Sequence, residues 1–452
     1  MRTALVLLFL LADLQGRRVA VWGTGREGRA AVLAIAAHRP ASLVAVDDSG
    51  NFLSLPWEAE LAAAAPLTDR YEALADADVV VRSPGVPQTH PWMIKLRAAG
   101  VPVTQGTALW MDDHADRTVG VTGSKGKSTT SSLVSHLLTA VGRPNLYGGN
   151  IGVPVLDLPG DADQYVLELS SYQCSDLTVS PAVAVVTALF PEHLDAHGGE
   201  EEYYRDKLNI VAHGPKAIIY NGADPRLAPR LRDRPEAIAA NVEGGFRIDG
   251  DDVVAPDGTK LFERAALNLA GRHNAGNLCV ALAVLTALGI DSTAKRDDLR
   301  AAARSFQPLP HRLAEIADPS GLTFVDDTLA TSPHATTHAI DAYEGRPLTV
   351  IVGGNDRGVD YTVLRDHLER LDAITVLGIP DSGPRIVNAL KGLDNVRAEV
   401  VEDLGRAVRR ARELTPAGGV VLLSPGAPSY GRFRNFEHRS QAYAEAIKES
   451  AS

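Results

Sequence analysis

The sequence predicts an α/β protein built from three domains. Runs rich in Val, Ile and Leu alternate with helical patterns almost to the end of the chain, which is the order of strand–helix units. Most of these runs are continuously apolar, as is typical of parallel strands covered on both faces. A chain of 452 residues is also too long for one ordinary core.

Each predicted strand is a short apolar run that ends in turn residues or Gly. The predicted strands are, in order, "RRVAVWG", "SLVAVDD", "DVVVRS", "TVGVTG", "QYVLELS", "AVAVVTAL", "KAIIYN", "LTFVDD", "LTVIVGG", "AITVLG" and "GVVLLSPG". Turn-rich joins near residues 105–114 and 307–310 divide them into three groups. We therefore expect domains at residues 1–108, 109–308 and 309–452.

Composition and charge argue against several classes of protein. A net charge of −11 is unlike the basic surface of a general nucleic-acid or membrane binder. Two cysteines, Cys174 and Cys279, provide no disulfide framework and indicate a reducing compartment. The apolar start "MRTALVLLFLLADLQG" lacks a small-residue cleavage site and leads into the first strand, so we expect a cytoplasmic protein rather than an exported one.

The first glycine-rich loop, "GTGREG", follows the first predicted strand. With Asp47 at the end of the next strand, it matches the fingerprint that places a pyrophosphate at a helix N-terminus. An NAD-dependent oxidoreductase is therefore one hypothesis. The segment "RSPGVP", Arg82 to Pro87, either faces the same ligand or forms a proline-fixed turn.

The second glycine-rich loop, "GVTGSKGKSTT", is a variant phosphate-binding loop. Val121 stands where the strict pattern has Gly. A predicted strand precedes the loop, and leucines at helical spacing follow it. Lys127 is then expected to reach the terminal phosphates of a nucleotide, and the Ser128 hydroxyl to hold Mg²⁺; the alternative is a surface turn rich in small residues.

Acidic and basic side chains follow two later strands. Glu168 ends an apolar strand, where a carboxylate either holds Mg²⁺ beside phosphates or serves as a cap or ion-pair partner. The segment "EHLDAHGGEEEYYRDK" then brings His193 and Lys207 after the next strand. His193 is either a metal ligand or a loop histidine.

Further polar groups cluster at the start of a predicted helix and at late strand ends. Asn274 and Asn277 lie on one helix face, where two amides can read a planar base, although Asn274 alone would also serve as an N-cap. The strand-end groups lie where α/β folds bind ligands; they are Arg312, Asp327, Thr331 and Arg357.

Taken in order, these segments resemble the Mur ligase family, the ATP-dependent amide-forming enzymes of peptidoglycan precursor synthesis. The motifs are "TGSKGKSTT", "GGNIGVP", "ELSSYQ", "EHLDAHG", "RHNAGN", "HRLAE", "DDTLATSPHAT", "GGNDRGVD" and "SPGAPSYGRFRNFEHR". "ELSSYQ" and the GxGxxG loop are most similar to the glutamate-adding branch. The resemblance implies a Rossmann-like N-terminal domain, a central P-loop ATPase domain and a Rossmann-like C-terminal domain.

The resemblance also implies how the substrates bind. UDP, rather than NAD, would bind through Gly23, Thr24, Gly25, Arg26, Gly28, Asp47, Ser83, Pro84 and Gly85. Asn150 would contact the muramoyl part of UDP-N-acetylmuramoyl-L-alanine, and His193 would help to orient its carboxylate. ATP would bind through Gly123, Ser124, Lys125, Gly126, Lys127, Ser128, Thr129, Asn274, Asn277, Arg312 and Asp327.

Two Mg²⁺ ions and the incoming glutamate complete the implied site. The metal ligands would be Ser128, Glu168, His193 and Lys207, the last as a carbamate, and the catalytic residues Lys127, His193 and Lys207. Glutamate would contact Thr331, Arg357, Ser429 and Phe436.

The sequence departs from the usual D-glutamate ligases at two positions. These enzymes usually have Lys where this chain has Leu329 in "DDTLAT" and Arg357 in "GGNDRG". An Arg fork binds a carboxylate differently from a Lys point charge. The differences resemble the L-glutamate-adding relatives, in which a separate epimerase acts on the product. We therefore expect a monomeric L-glutamate ligase; the D-glutamate reaction, a P-loop switch and an NAD-dependent oxidoreductase are the alternatives.

Overall fold

The computed structural model describes residues 10–47, 58–150, 153–192, 194–269, 271–307, 310–356, 358–429 and 431–451. The chain divides into two compact units. The first comprises residues 1–266 and 276–304, and the second comprises residues 267–275 and 305–452. Each contains parallel strands joined by helices, so the predicted α/β fold is confirmed.

The first sheet of the first unit is entirely parallel. Its strands are β1 (Arg18–Trp22), β2 (Ser42–Val46), β3 (Leu67–Thr68), β4 (Val79–Arg82) and β5 (Val103–Thr104). They lie in the order β3, β2, β1, β4, β5, so β1 and β4 are neighbours at the centre. The helices along this part of the chain are α1 (Arg26–Ala37), α2 (Glu58–Ala64), α3 (Glu72–Ala75), α4 (Pro91–Ala99) and α5 (Gly106–His114).

The second sheet of this unit is also parallel. Its strands are β6 (Thr118–Thr122), β7 (Leu146–Gly149), β8 (Tyr165–Glu168), β9 (Val183–Val186), β10 (Ala217–Asn221) and β11 (Ala237–Ala240). They lie in the order β11, β10, β9, β6, β8, β7. A small antiparallel sheet follows, made of β12 (Arg247–Asp249), β13 (Asp252–Val254) and β14 (Lys260–Glu263).

Helices join the strands of the second sheet and continue after it. They are α6 (Lys127–Ala140), α7 (Ser171–Cys174), α8 (Leu194–His197), α9 (Glu200–Leu208), α10 (Ala228–Leu231), α11 (Arg272–Ala287) and α12 (Arg296–Ser305). β6 is buried along its whole length, and each fully buried Val contributes about 1.5–3 kcal/mol of transfer free energy. The loop at the end of β6 therefore starts from a rigid support.

The second unit contains a third sheet. Its strands are β15 (Ala314–Ile316), β16 (Thr323–Asp326), β17 (Leu348–Val352), β18 (Ile374–Gly378), β19 (Val396–Val400) and β20 (Val420–Leu423). The order is β15, β16, β20, β17, β18, β19, and β15 is antiparallel to its neighbour. The helices are α13 (Pro333–Asp341), α14 (Thr362–Leu368), α15 (Gly383–Ala389), α16 (Leu404–Leu414) and α17 (Phe436–Glu449).

Every strand predicted from the sequence is present, and the two cysteines are free. Cys174 and Cys279 are both buried. Burial raises the pKa of the Cys174 thiol to about 11 and that of Cys279 to about 12. Among the helices of the described residues, none combines the length and apolar character needed to cross a bilayer.

A buried ion pair anchors α16 and the end of α17 in the second unit. Arg412 Nη2 lies 2.5 Å from Asp318 Oδ2, and the Asp318 side chain is only 2% exposed. The same guanidinium donates to the Ile447 carbonyl at 2.9 Å and to Ser450 Oγ at 2.8 Å. The hydrogen bond from Arg412 to Asp318, reinforced by the Ser320 hydroxyl and amide, holds the pKa of Asp318 below its usual range.

Replacing Asp318 with Ala is expected to lower the free energy of unfolding by about 3 kcal/mol at pH 7, because it leaves a charge buried without its partner. Since the folded state lowers the pKa of Asp318, the stabilisation is present above the ordinary pKa of about 3.9 and is lost as the pH falls. Urea denaturation at pH 7 and at pH 3.5 should therefore give a smaller difference at the lower pH. The exposed Asp394→Ala is the control; an equal difference at both pH values would contradict this account.

Candidate active site

The first glycine-rich loop forms one wall of a cavity of about 350 Å³. Gly23 follows β1 with φ of +94°, a conformation that favours Gly. A Cβ at Gly28 would collide with the Gly23 carbonyl, so α1 begins close to β1 only because residue 28 is Gly. The Thr24 amide and hydroxyl both donate to Asp47 Oδ2, at 2.7 and 2.5 Å, which fixes the loop against the end of β2.

The cavity brings together most residues that the resemblance assigns to UDP. Ser83, just after β4, donates to the Gly23 carbonyl at 3.0 Å. Gly28 packs behind the loop, and His193 lies outside the described residues. The predicted residues that line the cavity are Gly23, Thr24, Gly25, Arg26, Asp47, Ser83, Pro84, Gly85 and Asn150.

Glu27 is a wall residue that the sequence analysis did not assign. Burial, reinforced by the charge of Asp157, raises the pKa of its carboxyl to about 7. Gln173, in the first turns after β8, donates from Nε2 to Glu27 Oε1 at 3.3 Å and to Thr107 Oγ1 at 3.2 Å. The two parallel sheets of the first unit are thus joined at the cavity.

A second junction lies behind the same cavity. The fully buried Arg82 donates from Nε to Asp176 Oδ2 at 2.8 Å. Gln88 and Gln105 donate to the same carboxylate at 2.6 and 2.8 Å. The end of β4, the loop that follows it and the residue before α5 are therefore all held against Asp176, which follows α7.

The second glycine-rich loop has the shape of an anion cradle. Gly123 has φ of +144° and Gly126 has φ of +86°; Gly126 is the residue that caps α6. A Cβ at Gly123 would collide with Thr187 Oγ1, and a Cβ at Gly126 would lie 2.7 Å from Asn277 Oδ1. The loop therefore needs both glycines in order to lead directly into the first turn of α6, where the N–H groups and the helix dipole favour negative charge.

The residues around this loop fit a nucleotide phosphate. Ser124 is tied down through its amide to the Ala188 carbonyl at 2.7 Å and through its hydroxyl to the Phe190 carbonyl at 2.8 Å. Lys125 pairs with Glu192 at 2.7 Å. Ser128 and Thr129 stand in the first turn of α6, and Ser128 is buried.

Two lysines converge on one backbone oxygen of the loop. Lys127 Nζ and Lys207 Nζ each donate to the Gly123 carbonyl at 2.9 Å. Lys207 extends from α9 and is 1% exposed. Burial, and next the charge of Lys127, lower the pKa of Lys207 to about 7, so a substantial fraction of its amine is neutral and nucleophilic at neutral pH.

Glu168 offers one buried oxygen toward a cation. β8 pairs with β6 so that Glu168 stands opposite Val121, one residue before the end of β6. Its Oε1 accepts from Asn150 Nδ2 at 2.6 Å, whereas its buried Oε2 has no hydrogen-bond partner among the described residues. An orphaned carboxylate oxygen near a phosphate cradle fits a divalent cation.

The other predicted metal ligands come from different kinds of side chain. His193 lies outside the described residues. In the part of the chain that the structure describes, no three His, Cys, Asp or Glu side chains form a metal cluster of their own. The predicted set instead draws on Ser128, Glu168 and a modified Lys207.

A buried hydrogen-bond chain that the sequence analysis missed supports Lys207. His197 bonds through Nε2 to Ser171 Oγ at 3.0 Å and through Nδ1 to Asp206 Oδ2 at 2.7 Å. Its ring stacks on Tyr172. The chain joins α7, α8 and α9, and Asp206 is the residue before Lys207. The partners are separated by nine or more residues, which is why no local pattern indicated them.

Asn274 and Asn277, the two amides predicted to bind the adenine base, both belong to α11. This helix begins at Arg272, as expected from the sequence. Asn277 approaches Gly126 of the phosphate loop, and Asn274 is buried in the first turn.

Polar side chains meet at the carboxyl ends of β16, β20 and β17 in the second unit. Burial raises the pKa of Asp327 to about 7, against the opposing charge of Arg312, and Ser424 donates to it at 2.8 Å. Ser429 is buried, Thr331 is exposed, and Phe436 is the first residue of α17. Arg357 lies outside the described residues.

Sequence comparisons place this site in a known family. Residues 121–285 match the Mur ligase middle domain, and residues 311–427 match the Mur ligase glutamate ligase domain. The chain belongs to the Mur ligase family. It is 71% identical to a protein of Micromonospora named UDP-N-acetylmuramoyl-L-alanine--L-glutamate ligase, over 98% of both chains. A protein of the same name from Xylella fastidiosa is 39% identical over 96% of both chains.

Solved structures support the fold. UDP-N-acetylmuramate-alanine ligase of Thermotoga maritima aligns with a TM-score of 0.62 at 20% identity, over 96% of this chain and 100% of the other. MurF ligase of the same organism, in complex with ADP, aligns with a TM-score of 0.58 at 17% identity, over 99% and 100%. At these identities the likeness shows the fold alone, which is that of a Mur ligase.

Replacing Gly126 with Ala is expected to weaken ATP binding by more than about tenfold, or about 1.4 kcal/mol, because the methyl group would press on Asn277 and distort the cradle. Gly142→Ala is the matched control. Gly142 also has a positive φ, at the other end of α6, but nothing lies within 4 Å of its Cβ position. Both variants should lose about 1–2 kcal/mol of stability, since Ala is strained at positive φ, and calorimetric titration should find weak ATP binding only in Gly126→Ala. Equal ATP affinities would contradict the cradle.

Proposed function

We propose that this protein joins L-glutamate to UDP-N-acetylmuramoyl-L-alanine with the cleavage of ATP to ADP and phosphate. The observation that carries the proposal is the link between the two loops. Asn150 lines the cavity assigned to UDP, and its amide donates to Glu168 at the phosphate cradle. A substrate held in the cavity would therefore reach the cradle with its peptide end.

In this proposal each of three domains binds one substrate. Residues 1–108 would bind UDP, residues 109–308 would bind ATP, and residues 309–452 would bind glutamate. The second assignment agrees with an ATP-using family, and the third with the glutamate ligase domain matched at residues 311–427.

The chemistry must bring two anions together. The substrate carboxylate would attack the γ-phosphoryl group of ATP to form an acyl phosphate and ADP. Lys127 would reduce the repulsion between the anions, and the backbone amides of residues 125–128 would hold the phosphates in line. The glutamate amine would then attack the acyl carbon, a proton would leave the nitrogen, and phosphate would depart.

Mg²⁺ is the expected metal of this site. When bound it would neutralise phosphate oxygens during transfer. Ser128 and Glu168 would hold one ion, and His193 and Lys207 would hold a second, Lys207 after its neutral amine has added CO₂ and lost a proton to become a carbamate. Carbamylation converts a cation into an oxygen ligand, which explains a lysine beside a cation site.

The preference for the L isomer rests on two positions. Leu329 and Arg357 occupy places where D-glutamate ligases usually have Lys, and the relatives that share most of this chain are named L-glutamate ligases. The product would then be a substrate for a separate epimerase. We further propose a cytoplasmic monomer that binds neither nucleic acid nor membrane, in line with its net charge of −11.

The test is product formation by the purified protein with ATP, Mg²⁺ and UDP-N-acetylmuramoyl-L-alanine. L-Glutamate should give an amide product with one ADP and one phosphate per turnover, and Lys127→Ala should abolish it. D-Glutamate should react far more slowly. Preference for D-glutamate would overturn the isomer, and ATP cleavage that does not depend on the amino acid would overturn the ligase.

Lys207 should carry CO₂. Removal of CO₂ from the buffers is expected to lower the rate, and bicarbonate should restore it, because the lowered pKa of Lys207 leaves its amine reactive near pH 7. ¹³C-Bicarbonate should give a carbamate NMR signal that is absent in Lys207→Met. Lys216→Met, at an exposed lysine, should keep both signal and rate. A wild-type enzyme that is indifferent to CO₂ would contradict the modification.

A further inference from the structure

A fully buried arginine lies among the loops of the second unit. Arg439, in the first turn of α17, is 0% exposed. Its Nε donates to Thr328 Oγ1 at 2.7 Å, its Nη2 to the Thr328 carbonyl at 2.7 Å, and its Nη1 to the Ala427 carbonyl at 3.2 Å. Burial lowers its pKa to about 10, so it stays charged at neutral pH.

The guanidinium also borders a third loop. A Cβ at Gly354 would lie 2.9 Å from Arg439 Nη1 and would collide with the Pro428 carbonyl. The loop after β17 can therefore pass beside the arginine only with Gly at this position. The Asn355 amide donates to the Pro428 carbonyl at 2.9 Å, which ties this loop to the one that follows β20.

Neighbouring side chains hold the arginine in place. Asp326, the last residue of β16, accepts from Ser440 Oγ at 2.6 Å, from His311 Nδ1 at 2.8 Å and from the Thr328 amide at 3.0 Å. Ser440 is the residue after Arg439, so the start of α17 is fixed to the end of β16. A polar network this complete is rigid.

The points of contact match the residues assigned to glutamate. Thr328 precedes Thr331 by three residues, Ala427 precedes Ser429 by two, and Gly354 precedes Arg357 by three. Phe436 lies one helical turn before Arg439. Thr331 and Ser429 are thus within three residues of an atom that the guanidinium touches, Arg357 is three residues from the glycine beside it, and Phe436 is three residues from Arg439 itself.

We infer that Arg439 is the positioning residue of the amino-acid subsite, because it joins the three loops and the start of α17 that carry the residues assigned to glutamate. The inference rests on the proposed function. It requires no contact between Arg439 and the substrate, because the arginine acts through the loops. A planar fork can bind two backbone carbonyls and a hydroxyl at fixed angles, which a lysine ammonium cannot do.

Steady-state kinetics of Arg439→Lys test the inference. The KM for glutamate should rise at least tenfold, while the KM values for ATP and UDP-N-acetylmuramoyl-L-alanine stay within twofold. Arg439→Ala should regain part of its affinity for glutamate when millimolar guanidinium chloride is added. A merely structural arginine would lower the melting temperature without this selective change.

Arg412→Lys is the matched control, because Arg412 is a partly buried arginine of the same unit that bonds to Asp318 and to the end of α17 instead. It should lower the melting temperature and leave the KM for glutamate unchanged. If Arg439→Lys does not fold, Thr328→Val, which removes one acceptor, should raise the same KM severalfold. An unchanged KM in a folded variant overturns the inference, whereas a wild type that forms no product overturns the proposed function.

Discussion

The central constraint in this molecule is the shared carbonyl of Gly123. Two lysine ammonium groups lie at hydrogen-bond distance from this one oxygen, and one of them is buried. The charge of Lys127 disfavours the charged form of Lys207, and burial of Lys207 away from water adds to this effect. Loss of a proton by Lys207 or arrival of an anion relieves the repulsion, so the loop, the two lysines and α9 together define a site that favours phosphate.

Much of the fold could be predicted because the strands that form the sheet centres are continuously apolar. β3 and β5 have two residues each, and every residue of β19 is partly or fully exposed. Their pairing is set by neighbouring strands rather than by their own sequence, and they were missed. The antiparallel strands β12 to β14 have three or four residues each and mix charged with apolar side chains. No continuous apolar run therefore indicated them.

In the candidate site, too, the residues that could be predicted are those that leave a local sequence pattern. The glycine loops were found because their backbone requirements leave a local pattern, and Glu168 because a carboxylate rarely ends an apolar strand. Gln173, His197 and Arg439 were missed. Their partners lie 9 to 146 residues away in sequence, and side chains that act through tertiary contacts leave no local pattern.

The two buried thiols have a practical consequence. Cys174 and Cys279 are inaccessible, and their raised pKa values leave almost no thiolate at neutral pH. Thiol-reactive dyes and spin labels should therefore not react with the folded native protein. A cysteine introduced on an exposed helix would then be the reactive thiol that takes up the label. Spectroscopic distance measurements on this enzyme therefore do not require replacement of the two native cysteines first.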